Sequence, residues 1–418
     1  MQLIILTGNI HIIMPILDIT LILVASAIFL LLQLRRIRKN LFWTATVTPL
    51  ASIIGSGFLI VAPLLAEVVG KLAPLAMAAI AGVAIWIGSV IRFNIRHAEP
   101  LLNQTDSDPS LKFMEQMSRV VLFAAYVISI AFYLRLMSSF VLEGLGYNVA
   151  LWPQIMTTAI LLSISAIGAW SGLAGLERME TVSVSIKLAI VTALMIGLFH
   201  HNVVEGFQID GVVADHLTVG EKLGMLAGML LLVQGFETSR YLSNGYSAAI
   251  RAKSMLLAQL LSSVIYVAFV ALLLPLLHHL EQGRPDETSI IFLSSFAASV
   301  LPLMLIVAAV MSQFSAAVAD TVGSGGLMEE QTSGRVSAAW TYLIVAGLGI
   351  LLVWTADIFE IVAIASRAFA AYYLLQTGIS FVLRTRMPAN GLKMLHLLSL
   401  TALGTILLAV LFFALPVG

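Results

Sequence analysis

Cysteine is absent from the 418-residue chain, which excludes disulfides, thiolate metal sites and cysteine nucleophiles. Charge is scarce. Asp, Glu, Lys and Arg make up 11% of the residues against 60% hydrophobic ones, and the mean hydropathy is +1.02. A water-soluble chain of this length needs far more charge, so the solvent of this one is a bilayer. An excess of either sign is also missing, with 22 basic residues balancing 22 acidic ones, which argues against a nucleic-acid partner. No cationic start precedes the first apolar run and no small-residue cleavage site is evident, so this run reads as a retained helix rather than a signal peptide. The chain has no His-Glu-x-x-His, no Gly-x-Ser-x-Gly and no phosphate loop. Neither an intramembrane enzyme nor a nucleotide-driven pump is expected, and no cofactor or resident metal.

What is present is hydrophobic length. About 20 consecutive apolar residues span the hydrocarbon core as a helix. Spans of that kind lie near 14–34, 44–68, 74–97, 116–142, 153–175, 181–200, 221–242, 254–278, 289–320, 337–355, 358–383 and 394–415. The expected fold class is therefore an all-α polytopic membrane protein of about twelve helices. Connections are short, leaving no room for a soluble domain.

Lysine and arginine gather in alternate loops. One set holds Arg35, Arg36, Arg38, Lys39, Arg92, Arg96, Lys112, Arg178, Arg251, Lys253, Arg335, Arg384, Arg386 and Lys393. The other holds Lys71, Lys222 and Arg284 beside Glu205, Asp210, Asp215, Glu281, Asp286 and Glu287. The basic set is expected in the cytoplasm, with both termini outside it, in a cell inner membrane.

Without the first and last spans, ten remain and divide into two fives of nearly equal length. An odd number of helices per half turns the second half upside down, which is an inverted repeat. The units read as an extra N-terminal helix (1–40), a first half (41–201), a second half (219–385) and a C-terminal helix (390–418). Each half opens with an interrupted helix: Ile54-Gly55-Ser56-Gly57-Phe58 followed by Pro63, and Gln234-Gly235-Phe236-Glu237. Paired broken helices in inverted halves point to a transporter binding site, because unwound backbone at that depth survives only where it lines a cavity or is buried in protein.

At these residues the chain resembles the amino acid–polyamine–organocation (APC) superfamily of permeases. The run Ser52-Ile53-Ile54-Gly55-Ser56-Gly57-Phe58-Leu59-Ile60-Val61-Ala62-Pro63 is similar to that family's first-helix signature. Gly235-Phe236-Glu237 is similar to the Gly-aromatic-Glu of its sixth helix, and Thr181-Val182 with Ile186-Lys187-Leu188 to its fifth. The resemblance covers roughly 44–383 and implies the 5+5 inverted-repeat (LeuT-type) fold. One departure is Leu230-Leu231-Leu232-Val233, where many amino-acid permeases carry an aromatic gate. Asp-Pro-Gly and Met-Pro-His, marks of the transition-metal branch of the fold, are missing.

Candidate site residues follow. Ile54, Gly55, Ser56 and Gly57 are expected to free backbone N–H groups at a half-helix N-terminus, a place suited to a substrate carboxylate; close helix packing is the competing reading. Gln234, Gly235, Phe236 and Glu237 line the second break, with Glu237 binding a substrate amine, switching protonation or anchoring the segment. Arg135 needs an acidic partner or an anionic substrate. The resemblance implies that Lys187 replaces a sodium ion, because the usual pair of hydroxyls is here Ser315-Ala316. Its ammonium is expected to touch the carbonyls of Ala51 and Ile54 and the hydroxyl of Ser315; snorkelling is the alternative. Arg367 is expected to pair with Glu360, Asp320 to be solvated or paired with a loop cation, and the pairs His200-His201 and His278-His279 to be solvated at the rim.

The function implied is a secondary carrier of an amino acid or related small carboxylate, proton-coupled or exchanging, and not an enzyme. Its partners are a small-molecule substrate, a proton and the lipid bilayer, with the oligomeric state open. A sodium-coupled carrier, a carrier of a nucleobase or organic cation, and a transport-inactive receptor or subunit are the alternatives.

Overall fold

The structure is a computed structural model that describes residues 3–102, 104, 108–147, 149–171, 180–209, 217–242, 245–280, 286–388 and 391–417. Within the helices, the side chains of 3–15, 56, 171, 180, 181 and 231 lie outside the description. All the regular elements described are helical. In hydrocarbon a chain must pair its own backbone groups, and long apolar runs do so as helices.

The long elements are α1 (Leu3–Gln33), α2 (Leu41–Ser56), α3 (Val61–Val69), α4 (Ala73–Leu102), α5 (Pro109–Gly144), α6 (Trp152–Ser171), α7 (Glu180–Glu205), α8 (Val219–Gly228), α9 (Ala248–Leu273), α10 (Ser289–Ala297), α11 (Leu301–Gln331), α12 (Ala338–Thr355), α13 (Ile358–Arg386) and α14 (Lys393–Phe413). Ten helical stretches among the described residues are long and apolar enough to cross a membrane. The second and seventh expected passages are each in pieces. α2 and α3 are separated by the turn 57–60. α8 gives way to 3-10 turns at Leu230–Val233 and Phe236–Tyr241, with Gln234 and Gly235 between them.

Local sequence sets several of the starts. Asn40 accepts from the Trp43 N–H to begin α2, and Ser247 caps α9 in the same way. Thr218 with Glu221, and Asp357 with Glu360, close reciprocal capping boxes at α8 and α13. The last of these corrects one expectation: Glu360 turns back to the Asp357 N–H at 3.0 Å, while Arg367 donates to the Ala414 carbonyl at 2.5 Å. The expected single span 289–320 is also two elements. α10 ends where Ala298 adopts an extended conformation, and α11 restarts at Leu301 and runs to Gln331. Asp18 of α1 accepts from Ser299 and from the Val300 N–H, which pins the extra first helix to the start of α11.

The two breaks meet. A Cβ on Gly57 would lie 2.8 Å from the Leu232 Cα, and one on Gly235 would lie 2.8 Å from the Ser52 carbonyl carbon. Gly235 also holds φ at +115°, a region that side-chain-bearing residues rarely occupy. Beyond α14 the chain folds back onto α8. Leu415 N–H donates to the Gly224 carbonyl at 2.9 Å, and a Cβ on Gly228 would sit 2.1 Å from the Leu415 carbonyl oxygen.

These contacts rank three substitutions. Gly235→Ala should lower the melting temperature of the detergent-solubilised protein sharply, since its φ alone costs ~1–2 kcal/mol with a side chain present. Gly228→Ala should also lower it by expelling the 414–417 segment. Gly82→Ala, where nothing lies within 4 Å, should leave it unchanged, and equal losses at all three positions would refute the close-approach account.

Candidate functional site

The carbonyl end of α2 is held by side chains from three other helices. Lys187 of α7, 2% exposed, donates from Nζ to the Ala51 carbonyl at 2.6 Å. Tyr266 of α9 places its hydroxyl 2.8 Å from the Ile53 carbonyl and 2.7 Å from that of Leu232, between the two breaks. Gln313 of α11 donates to the Gly55 carbonyl at 2.7 Å. The last carbonyls of a helix carry its negative dipole end, so a cation there is electrostatically matched. Ser315 stands close by, accepting from Ser183 at 3.2 Å and donating to the Ser312 carbonyl at 3.0 Å.

This geometry moves the expected anion position along the chain. Gly55 and Ser56 fall in the last turn of α2, so their carbonyls, not their amides, face the break; the Ser56 side chain lies outside the description. The helix N-terminus at this break is that of α3, opening at Val61 after the turn through Phe58, Leu59 and Ile60. In that turn the Ile60 and Val61 amides donate to the Gly57 carbonyl at 3.2 and 3.1 Å. Ile54 is buried at the end of α2.

At the second break Glu237 folds back over the unwound backbone. Its Oε2 accepts from the Gly235 N–H at 3.0 Å and from the Tyr373 hydroxyl of α13 at 2.8 Å. Phe236 stacks on Tyr373 with ring centroids 5.4 Å apart. Gln234 donates to the Tyr133 hydroxyl of α5 at 2.8 Å, so Tyr133 reaches the breaks. Arg135, two residues on, is not in this cluster. Its charged neighbours are Glu287 and Asp357, beyond the acidic-loop end of the bundle. Asp320 corrects a further expectation: it is 5% exposed, and its Oδ2 has no hydrogen-bond partner.

Comparisons with known proteins bear on this arrangement. The profile described as APC superfamily transporter matches residues 35–414. The chain belongs to the APC superfamily of transporters. An uncharacterized protein of Aquifex aeolicus (strain VF5) is 47% identical to this transporter over 348 residues, covering 82% of this chain and 84% of its own. Two solved structures share the fold. A manganese transporter of Eremococcus coleocola is 12% identical over 90% of this chain and 87% of its own, with a TM-score of 0.57. A nucleobase-cation-symport-1 family transporter, closed with bromovinylhydantoin bound, is 12% identical over 88% and 90%, with a TM-score of 0.56.

The transporter carries one constellation that its sequence did not disclose. At the basic-loop end, Arg240 pairs with Glu115 of α5 at 2.9 Å and approaches Glu99 of α4 at 3.7 Å. Arg251 of α9 grips Glu99 with two bonds of 3.1 and 2.6 Å and donates to the Arg240 carbonyl at 2.6 Å. Gln376 of α13 accepts from Arg240 and donates to Ser118 at 2.9 Å, while Asn94 bonds both Gln376 and Ser380. Arg240 and Arg251 are 5% and 4% exposed, so Arg251 is no loop cation. A charge only five residues beyond a glycine break was the available signal. The i,i+4 pair Glu115 and Arg119 was the other.

Removing one member of a buried ion pair leaves a bare charge, at a cost of about 3–5 kcal/mol. Arg240→Met should therefore destabilise the transporter strongly in thermal melts. Adding Glu115→Leu should recover much of the loss, because Arg119 still has Glu330 and Arg251 still has Glu99. Strictly additive losses would show that the pair does not act as a unit.

Proposed function

We propose that this APC transporter is a secondary active carrier of an amino acid or a related small carboxylate, working by alternating access and driven by proton symport or by exchange. The observation that carries the reading is the Lys187 ammonium on the Ala51 carbonyl, at the end of the broken helix. There it takes the place that sodium fills in relatives implied by the resemblance. The ammonium binds the carbonyl end of α2 through charge as well as through N–H donors. Once it loses its proton the charge attraction is gone, and α2 and α11 loosen from α7. That converts a proton into a change of helix packing, which shifts the balance between two conformations. The substrate carboxylate belongs at 57–62, beside the N-terminus of α3, where the helix dipole favours an anion. The halves 41–201 and 219–385 then move against each other around the crossing of the breaks. The basic-loop end faces the cytoplasm of a cell inner membrane, and both termini face away from it.

Two measurements test this. In liposomes, uptake by the purified transporter should ignore sodium and should depend on pH or on internal exchangeable substrate. Lys187→Ala should abolish or uncouple it with the fold intact; sodium-stimulated uptake would sink the scheme, and unchanged pH dependence in the variant would make Lys187 structural. For orientation, a cysteine at the exposed Val149 should react with an impermeant maleimide from outside intact cells, and one at the exposed Arg335 should not. The reverse pattern would turn the topology over.

A further inference from the structure

Past α14 the chain turns back and runs along α8, the acidic-loop half of the second broken passage. A Cβ on Gly224 would lie 2.8 Å from the Phe413 carbonyl oxygen, and one on Gly228 would lie 2.1 Å from that of Leu415. Between these points the Leu415 N–H donates to the Gly224 carbonyl at 2.9 Å. Residues four apart share one face of a helix. One backbone therefore lies directly on another, and a side chain at either glycine would displace it. Ala414 and Val417 are buried, at 0% and 4% exposure. Residues 415–417 lie beyond the superfamily match, which ends at 414.

The other side of this segment is held by α13. Arg367 donates to the Ala414 carbonyl at 2.5 Å, and Ser366, the residue before it, donates to the Gly228 carbonyl at 2.6 Å. Two neighbouring residues of α13 thus grip the segment and the end of α8 together. α8 is ten residues long and gives way to a 3-10 turn at Leu230, so no continuous helix holds its inner end. An extended backbone in hydrocarbon must find partners for its own N–H and C=O groups, and this one finds them on α8 and α13. Such a contact is made or lost as a unit.

We infer that residues 414–417 are a strap that latches α8 to α13 and so gates the acidic-loop face, the outer face in the orientation given above. For that face to open, α8 tilts away from α13, and a strap bonded to both releases one of them first. Weakening the strap shifts the balance between closed and open arrangements toward the open one. The inference rests on the alternating-access reading above; it needs neither the proposed cargo nor the proton.

The test combines amide hydrogen exchange on the purified full-length protein with cysteine labelling in intact cells, no cargo being added. Leu415→Pro removes the N–H that bonds Gly224, and Arg367→Met removes the donor that holds Ala414 from the other side. Each should speed exchange of the 219–228 amides by about three- to tenfold, the change that one net hydrogen bond supports. Exchange in α6 and α12, which pack on each other, should keep its rate. The chain has no cysteine, so Ser366→Cys gives a single reporter under α8, at a position 0% exposed. Its reaction with an impermeant maleimide from outside should rise by a similar factor when either strap variant is added. Faster exchange throughout the chain, or failure of both strap variants to fold, would make the segment general packing and overturn the latch. Unchanged exchange in α8 overturns it too. So does faster exchange in α8 without faster labelling of Ser366→Cys, since the strap then steadies the helix without gating the face. A failed uptake assay with both changes present would count against the carrier reading and not against the strap, because neither readout uses cargo.

Discussion

Backbone carbonyls released inside the hydrocarbon region have no water to turn to, and how they are satisfied organises the whole bundle. Ala51, Ile53 and Gly55 are met by Lys187, Tyr266 and Gln313; Leu232 shares Tyr266; Gly228 accepts from Ser366 at 2.6 Å, and Gly235 from Thr238 at 2.7 Å. The donors come chiefly from α7, α9, α11 and α13, so each break is tied to helices distant in sequence. Tyr266 matters most, because one hydroxyl lies within reach of a carbonyl from each break. A movement that separates the breaks has to give up one of those contacts. This is the kind of discrete repacking that lets a carrier hold two states rather than drift between them.

The gross design was legible in the chain because it follows from bulk properties. Apolar run length located the passages, and glycines in two corresponding helices located the breaks. What failed was what depends on neighbours. Within the expected interruption Ile54–Phe58 the helix yields from Gly57 onward and not at Gly55, because Gly57 is pressed against the Leu232 backbone while Gly55 meets Lys187 and Ser312 only at 3.4 Å. No local propensity separates two glycines one residue apart. Asp320 was misplaced for a related reason. α11 continues eleven residues past it to Gln331, so a position that hydropathy put near the helix end lies inside the packed bundle. Glu360 and Arg367 share a helix face, yet a free amide at the helix start and a carbonyl at Ala414 each lay nearer. Hydropathy has no term for a hydrogen bond that becomes available only when distant segments meet.

Charge in this chain is spent in two different ways, and the contrast separates fixed parts from working ones. At the basic-loop end several carboxylates have cations: Glu115 has Arg240 and Arg119, Glu99 has Arg251, and Glu330 has Arg119. Nearer the breaks the carboxyls of Glu237 and Asp320 each keep an oxygen without a partner. Paired charges resist separation, because opening them exposes two ions at once. Unpaired buried acceptors are the costlier arrangement, because nothing in the bundle offsets the loss of their hydration.

A carrier that opens at the basic-loop end must pull Arg240 from Glu115 without stranding either charge in a dry interior. The arrangement supplies a graded route to water. Arg240 and Glu115 have side chains 4% and 8% exposed, Arg119 is 27% exposed, and Glu330 at the rim is 63% exposed. Water entering from Glu330 reaches Arg119 first and Glu115 next, so each ion gains hydration as it loses its partner, and the desolvation cost that makes a buried pair rigid falls away in steps. Arg240 lies on the same short helical segment as Glu237. A displacement of that segment would carry Glu237 along with the ionic lock formed by Arg240 and Glu115. By linkage, a ligand that binds more tightly with the lock closed must hold it closed, and opening the lock must weaken that ligand by the same factor.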